Sequence, residues 1–237
     1  MPSSTYFQRR EQLTTYFDHT AAAAWRALTS TDPVSRIRAT VRAGRDEMRD
    51  TLVSWLPSDM SGQTLLDAGC GTGALAVKAA GQGARVVAVD VAASLIDVAR
   101  RRAAREAPNA DVDFRVGDML SDALEEVDHV VAMDSLIHYS AEDVLQVVTR
   151  FARRARRSVL FTSAPWTPAL GAMHFFGRLI PHRHHRAPAI EPVHTGRLLK
   201  DLNAALGPEG WETARAYRVT SGFYISQAIE LRKTCAD

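Results

Sequence analysis

A chain of 237 residues, 46% of them hydrophobic and 24% charged, has room for one sizeable α/β domain and a small cap, and composition of this kind excludes a fibrous or disordered protein. A net charge of +2 supplies no field for gathering nucleic acid, and the two cysteines, Cys70 and Cys235, are too few for a disulfide framework and lack a zinc spacing. With no leader-like start and no run near the roughly 18 apolar residues needed to cross a bilayer, the expectation is a cytoplasmic protein, with peripheral membrane contact left open.

Residues 1–12 are polar and read as a loose start. From Leu13 onward, Tyr16, Phe17, Ala21, Ala24, Trp25 and Leu28 recur at helical spacing and predict an amphipathic helix. Asp32-Pro33 then offers an N-cap and a first-turn proline for a second helix, carrying Ile37, Val41, Met48, Leu52 and Trp55 up to Pro57. Residues 1–57 are therefore expected to form a helical cap in front of a domain spanning 58–237.

That domain starts with an apolar run, Thr64 to Ala68, ending in Gly69-Cys70-Gly71-Thr72-Gly73-Ala74. The pattern predicts a strand turning sharply into a helix near 74–82, with backbone N–H groups bared to a nucleotide-like ligand. Gly69-x-Gly71-x-x-Ala74 also satisfies the dinucleotide-binding pattern, so NAD(P) is an alternative, as is a merely structural turn. Asp67 decides for S-adenosylmethionine (SAM). A carboxylate two residues before the first glycine faces a pyrophosphate unfavourably, whereas SAM offers an ammonium and a sulfonium to attract.

Strands follow at 84–90, 112–116, 129–133 and 158–162, separated by helices near 93–106 and 141–153, the latter opened by the capping box Ser140-x-x-Asp143. Alternation of this kind demands a parallel sheet whose ligands sit at the carboxyl ends of the strands. Asp90 with Val91 closes the second strand and suits two ribose hydroxyls. Gly117-Asp118-Met119 closes the third, where the carboxylate would accept from an adenine amino group and Met119 would lie on the ring. Met133 ends the fourth strand beside the reactive methyl, and His138 follows it, as a substrate ligand or as a mere helix-start histidine.

Residues 164–193 form the least regular stretch, a lid insertion with Trp166, Met173 and Phe176 as an apolar lining for a flat substrate. The cluster His182, His184 and His185 beside Arg183 and Arg186 reads as a solvated basic loop rather than a metal site. A helix from Thr195 to Leu206 leads to strands at 211–219 and 223–231, whose hairpin would place the last strand beside the fifth. The fold class is thus α/β, a Rossmann-like class I SAM-methyltransferase sheet of seven mostly parallel strands with an antiparallel C-terminal hairpin and an N-terminal helical cap.

Five blocks narrow this further: Tyr16-Phe17-Asp18-x-Thr20 with Trp25-Arg26, Val34-Ser35-Arg36-Ile37-Arg38 leading to Arg42-x-Gly44-Arg45, the glycine turn, Met133 to Tyr139, and Ser221-Gly222-Phe223-Tyr224. From about residue 13 to 231 the chain resembles the magnesium-protoporphyrin IX O-methyltransferases. The resemblance implies methyl transfer from SAM, leaving S-adenosylhomocysteine, to a propionate of Mg-protoporphyrin IX in (bacterio)chlorophyll biosynthesis, and contact with the magnesium chelatase large subunit. His138 and Tyr16 are expected to position the substrate carboxylate, and Trp25 and Arg38 to contact the porphyrin. A methyltransferase of another small molecule and a non-catalytic SAM-binding regulator stay open.

Overall fold

The computed structural model describes residues 3–20, 36–166 and 189–234. Helices α1 (Ser4–Thr15) and α2 (Arg36–Trp55) precede the sheet. Strands β1 (Thr64–Ala68), β2 (Arg85–Asp90), β3 (Val112–Val116), β4 (Val127–Ala132) and β5 (Ala155–Ser163) are all parallel, linked through α3 (Ala74–Gly81), α4 (Ala93–Glu106) and α5 (Ala141–Arg154). Helix α6 (Thr195–Leu206) then leads into the hairpin β6 (Trp211–Ser221) and β7 (Tyr224–Lys233), with β7 antiparallel to β5.

The strand order is β3-β2-β1-β4-β5-β7-β6, with the last strand beside the fifth as expected. The chain winds outward from β1 in one direction and from β4 in the other, so a crevice opens between the carboxyl ends of these two central strands. Both are covered on each face. Leu66 and Val130 enter a core beneath α5 and α6 with Phe151 and Leu202, while their neighbours Leu65 and Val131 enter a second core with Met48 and Leu52 of α2. Alternate residues of a strand point to opposite faces, which is why these buried strands read as unbroken apolar runs.

The N-terminus departs from expectation. Residues 4–15 are not loose but helical, begun by Ser3, whose hydroxyl accepts from the Tyr6 N–H at 3.0 Å. Only Tyr6 and Leu13 of this helix are buried, too few to leave a periodic apolar signal; Arg9 and Arg10 hold it down instead, through Glu191 and Asp118. Of the helix expected from Leu13 onward, the described part is helical, ending α1 and continuing as a π-helical turn, Tyr16–Thr20. Residues 21–35, with Trp25 and the Asp32-Pro33 cap, lie outside the described residues.

Helix α2 seats on the hairpin through two close approaches. A Cβ at Gly44 would come within 2.6 Å of the Tyr224 ring, and one at Gly222, where φ is +59°, within 2.4 Å of the Thr40 hydroxyl. The Ser221 hydroxyl donates to the Thr40 carbonyl at 2.9 Å. The Ser221-Gly222-Phe223-Tyr224 block therefore positions α2 over the crevice.

Candidate active site

The glycine turn adopts left-handed backbone at all three positions, with φ of +80° at Gly69, +54° at Gly71 and +74° at Gly73. A Cβ on Gly69 would come 2.4 Å from that of Ser135, and one on Gly73 would strike Ala99 at 2.8 Å and the Phe114 ring at 2.9 Å. Gly73 thus serves helix–sheet packing and does not line the cavity, contrary to its expected cofactor role.

The turn's amides are also not bare. Gly69 and Cys70 donate to the Val89 carbonyl at 2.8 and 3.0 Å, Gly71 to Asp90 Oδ2 at 2.8 Å, and Gly73 to the Cys70 carbonyl at 3.0 Å. These bonds knit β1 to the end of β2. With four amides so engaged, the turn has lost the anion cradle that a pyrophosphate requires.

A cavity of about 550 Å³ lies at this switch point. Of the expected cofactor residues, Asp67, Gly69, Cys70, Gly71, Asp90, Val91, Gly117, Met119 and Met133 line it, as does His138. Asp67 is 1% exposed, and burial, reinforced by the nearby charge of Asp90, pushes its carboxyl up to about 7. Its Oδ2 has no hydrogen-bond partner, nor does the buried Ser135 hydroxyl beside the turn. Unpaired buried acceptors of this kind fit a ligand bearing a cation and polar hydrogens. Asp90 is raised as well, chiefly by burial, although both its oxygens accept backbone N–H bonds, from Gly71 and Ala92.

Asp118 is used differently from expectation. Its Oδ1 accepts from the Tyr6 phenol at 2.6 Å and from the Leu120 N–H at 2.9 Å, while its Oδ2 meets Arg10 at 2.5 Å. The carboxylate fastens α1 to the end of β3 and is not among the lining residues; its neighbours Gly117 and Met119 are.

Beyond β4 the chain turns through Asp134, a non-glycine residue at φ +54°. Such strain persists where surroundings over-determine it. The Asp134 N–H donates to Thr162 Oγ1 at 2.7 Å, Oδ1 accepts from the Tyr224 phenol at 2.9 Å, and Oδ2 faces Arg45 at 3.5 Å. Four residues on, His138 Nδ1 lies 3.1 Å from the Ala189 carbonyl, an acceptor only, so this nitrogen carries the proton. Burial lowers the His138 pKa, which leaves Nε2 with a lone pair. The ring therefore presents an acceptor, where a donor to the substrate carboxylate was expected.

The remaining candidates separate. Tyr16 lies edge-on to Phe17 and outside the cavity wall, which Phe17 itself joins. Arg38 is exposed and also outside it, as is Trp166, which stacks on His194 with ring centres 4.9 Å apart. Met173, Phe176 and the His182–Arg186 cluster fall outside the described residues. Sequence reasoning missed Tyr6, Leu13, Arg42, Arg45, Ser135 and Tyr139, all of which line the cavity. Arg42 and Arg45 carried a signal in the block Arg42-x-Gly44-Arg45, and Ser135 and Tyr139 in the block from Met133 to Tyr139.

Known proteins share this arrangement. The family model described as magnesium-protoporphyrin IX methyltransferase C-terminus matches residues 132–233, and a general methyltransferase-domain model matches residues 65–158. The chain is 43% identical to the magnesium-protoporphyrin O-methyltransferase of Rhodobacter capsulatus, across 98% of this chain and all of that one. It belongs to the magnesium-protoporphyrin O-methyltransferase family. The chloroplastic family member of Arabidopsis thaliana is 31% identical over 93% of this chain and 70% of its own. The magnesium protoporphyrin IX methyltransferase of Synechocystis PCC 6803, solved with bound SAH, superposes with a TM-score of 0.83 at 26% identity, covering 95% of this chain and all of that one. The class I methyltransferase fold expected from the strand–helix alternation is the fold of this family.

Proposed function

We propose that this methyltransferase moves the methyl group of SAM to a propionate carboxylate of Mg-protoporphyrin IX, giving the monomethyl ester in (bacterio)chlorophyll biosynthesis. The observation that carries the reading is the buried Asp67 carboxyl, one of whose oxygens has no hydrogen-bond partner, in a cavity whose glycine amides are already spent, in a chain of this family. That combination favours a cationic nucleoside over a dinucleotide.

When bound, SAM supplies a methyl group on a cationic sulfur. Asp67 would hold its ammonium-bearing end, Asp90 its ribose hydroxyls, and Gly117 and Met119 its adenine. A propionate is ionised at pH 7, so the protein's task is alignment and exclusion of water rather than proton removal. His138 at the end of the β4 loop is the group nearest the expected reaction site, and it would align an ionised propionate only with a second proton on Nε2, since a neutral Nε2 and a carboxylate are both acceptors. Tyr16 would join it if the turn at 16–20 rewinds when substrate enters.

Phe7, Val116, Trp166 and Phe223 are exposed on α1, at the end of β3, after β5 and in the β6–β7 turn, all toward the carboxyl end of the sheet. Their placement supports delivery of an apolar macrocycle there, by the magnesium chelatase large subunit that the resemblance implies or from a membrane surface. No helix among the described residues is long and apolar enough to cross a membrane.

Radiolabelled methyl incorporation tests the reading. Label should enter Mg-protoporphyrin IX in preference to metal-free protoporphyrin. No incorporation into either, or NADH binding without response to SAM, overturns it.

A further inference from the structure

We propose that Asp18 is a positioning residue for methyl transfer: it caps α4 from the turn that follows α1 and so fixes the Phe17 ring against His138. This rests on the proposed reaction, in which His138 stands nearest the reacting groups.

Helix α4 lacks a cap of its own. Its N-cap position is Ala92, extended as a cap should be (φ −93°, ψ 107°) but with a methyl group that accepts nothing. A capping side chain serves the amide of the second or third helical residue, here Ser94 or Leu95. The Leu95 N–H is taken by the Ala92 carbonyl at 3.1 Å. The Ser94 N–H goes to Asp18, 76 positions earlier, whose Oδ1 accepts it at 3.0 Å; in return the Ser94 hydroxyl donates to the Phe17 carbonyl at 3.4 Å. A carboxylate at this end of a helix also faces the positive pole of its dipole. One residue of α4 thus ties down two successive residues of the π-helical turn Tyr16–Thr20.

The tie sets which ring reaches the site. With Asp18 against α4, Phe17 stands in the cavity wall beside Leu13 and meets the His138 ring edge-on, with centres 6.5 Å apart and planes at 60°. Edge-to-face contact is a preferred geometry of aromatic rings. The Nδ1 of His138 is held by the Ala189 carbonyl at 3.1 Å. Two contacts therefore orient the imidazole, and Asp18 controls one of them through Phe17. The expected ribose site is separate, since the bonds of Asp90 come from Gly71 and Ala92 and do not involve Asp18. Loss of the tie should appear in kcat and spare the cofactor.

The test compares methylation of Mg-protoporphyrin IX, measured well below Tm, with amide exchange. Asp18→Ala should lower kcat about 10-fold, with S-adenosylhomocysteine affinity within about threefold of wild type. Asp18→Asn keeps an acceptor oxygen of the same reach and should retain most of the activity. Asp18→Ala/Ala92→Ser separates positioning from helix stability, because a serine at the N-cap supplies an acceptor without the tie. Tm and exchange at Ser94 should recover in it while kcat does not. Ala92 is buried, so if this double variant does not fold, the contrast between alanine and asparagine at position 18 decides. Unchanged kcat in Asp18→Ala, equal losses in the alanine and asparagine variants, or recovery of kcat in the double variant overturns the proposal. If the wild type methylates no porphyrin, the proposed function fails, and exchange alone judges the tie: Asp18→Ala should speed exchange over residues 16–20 about 10-fold, and unchanged exchange there refutes it.

Discussion

The phenol of Tyr6 donates to Asp118 across 2.6 Å, while Arg10 meets the other oxygen of the same carboxylate at 2.5 Å. Tyr6 also stacks on Tyr139, with ring centres 5.1 Å apart and planes 20° apart. One carboxylate at the end of β3 and one ring after β4 thus hold α1 against the mouth of the cavity. Hydrogen bonds to a charged acceptor contribute about 1.5–3 kcal/mol each, so Tyr6→Phe should speed amide exchange over residues 4–15 by about 10- to 100-fold with little change in global stability. In the wild type, S-adenosylhomocysteine should slow exchange over residues 3–20 and 36–45. Exchange indifferent to both changes would make α1 a static wall.

Asp67 should make SAM binding depend on pH. Its pKa in the folded protein, about 7, lies above the ordinary carboxylate value, so the folded state holds a proton that the unfolded state has released. Ionising it costs stability as pH rises toward 7, and a bound cation offsets that cost. Affinity for SAM should therefore rise between pH 5.5 and 7, by up to about tenfold per unit, with proton release visible by calorimetry in buffers of different ionisation heat. Asp67→Asn should bind more weakly and without this slope.

His138 carries its proton on Nδ1, and burial lowers its pKa, which favours the uncharged ring. Because a propionate needs no deprotonation, His138→Ala should lower kcat by about 10- to 1,000-fold while sparing SAM affinity. Added imidazole should restore little activity. Steep recovery with imidazole or rising pH would make the residue a general base instead.

His129 offers a stability test far from the site. Ser158 Oγ lies 2.7 Å from Nδ1 and Gln63 Oε1 2.9 Å from Nε2, and burial, the largest cause, lowers its pKa to about 4. A histidine depressed on folding binds a proton more readily when unfolded, so stability falls as pH drops from about 6.5 toward 4. The loss amounts to about 3 kcal/mol over that window. Urea midpoints measured against pH for wild type and His129→Gln should converge as the window is crossed, and parallel curves would refute it.

Local pattern was enough for the alternation of strands and helices, the hairpin, the glycine turn and the line of residues at the strand ends. Strand and helix periods are set by neighbours in sequence, and a parallel sheet leaves its loops only one end at which to gather ligands. The partners of those residues were not legible, because each comes from a distant part of the chain. Asp118 reads as an adenine ligand until Tyr6 and Arg10, more than 100 positions earlier, occupy its oxygens. Arg38 and Arg42 differ by one helical turn and cannot be told apart by composition. The seating of α2 on Gly222 and Tyr224 brings Arg42 and Arg45 to the cavity and leaves Arg38 outside. Sequence alone determined which residues could do chemistry at this end of the sheet. Tertiary packing decided which of them keep a charge or lone pair for a ligand, since a polar group spent on the protein's own backbone and side chains has less to offer one.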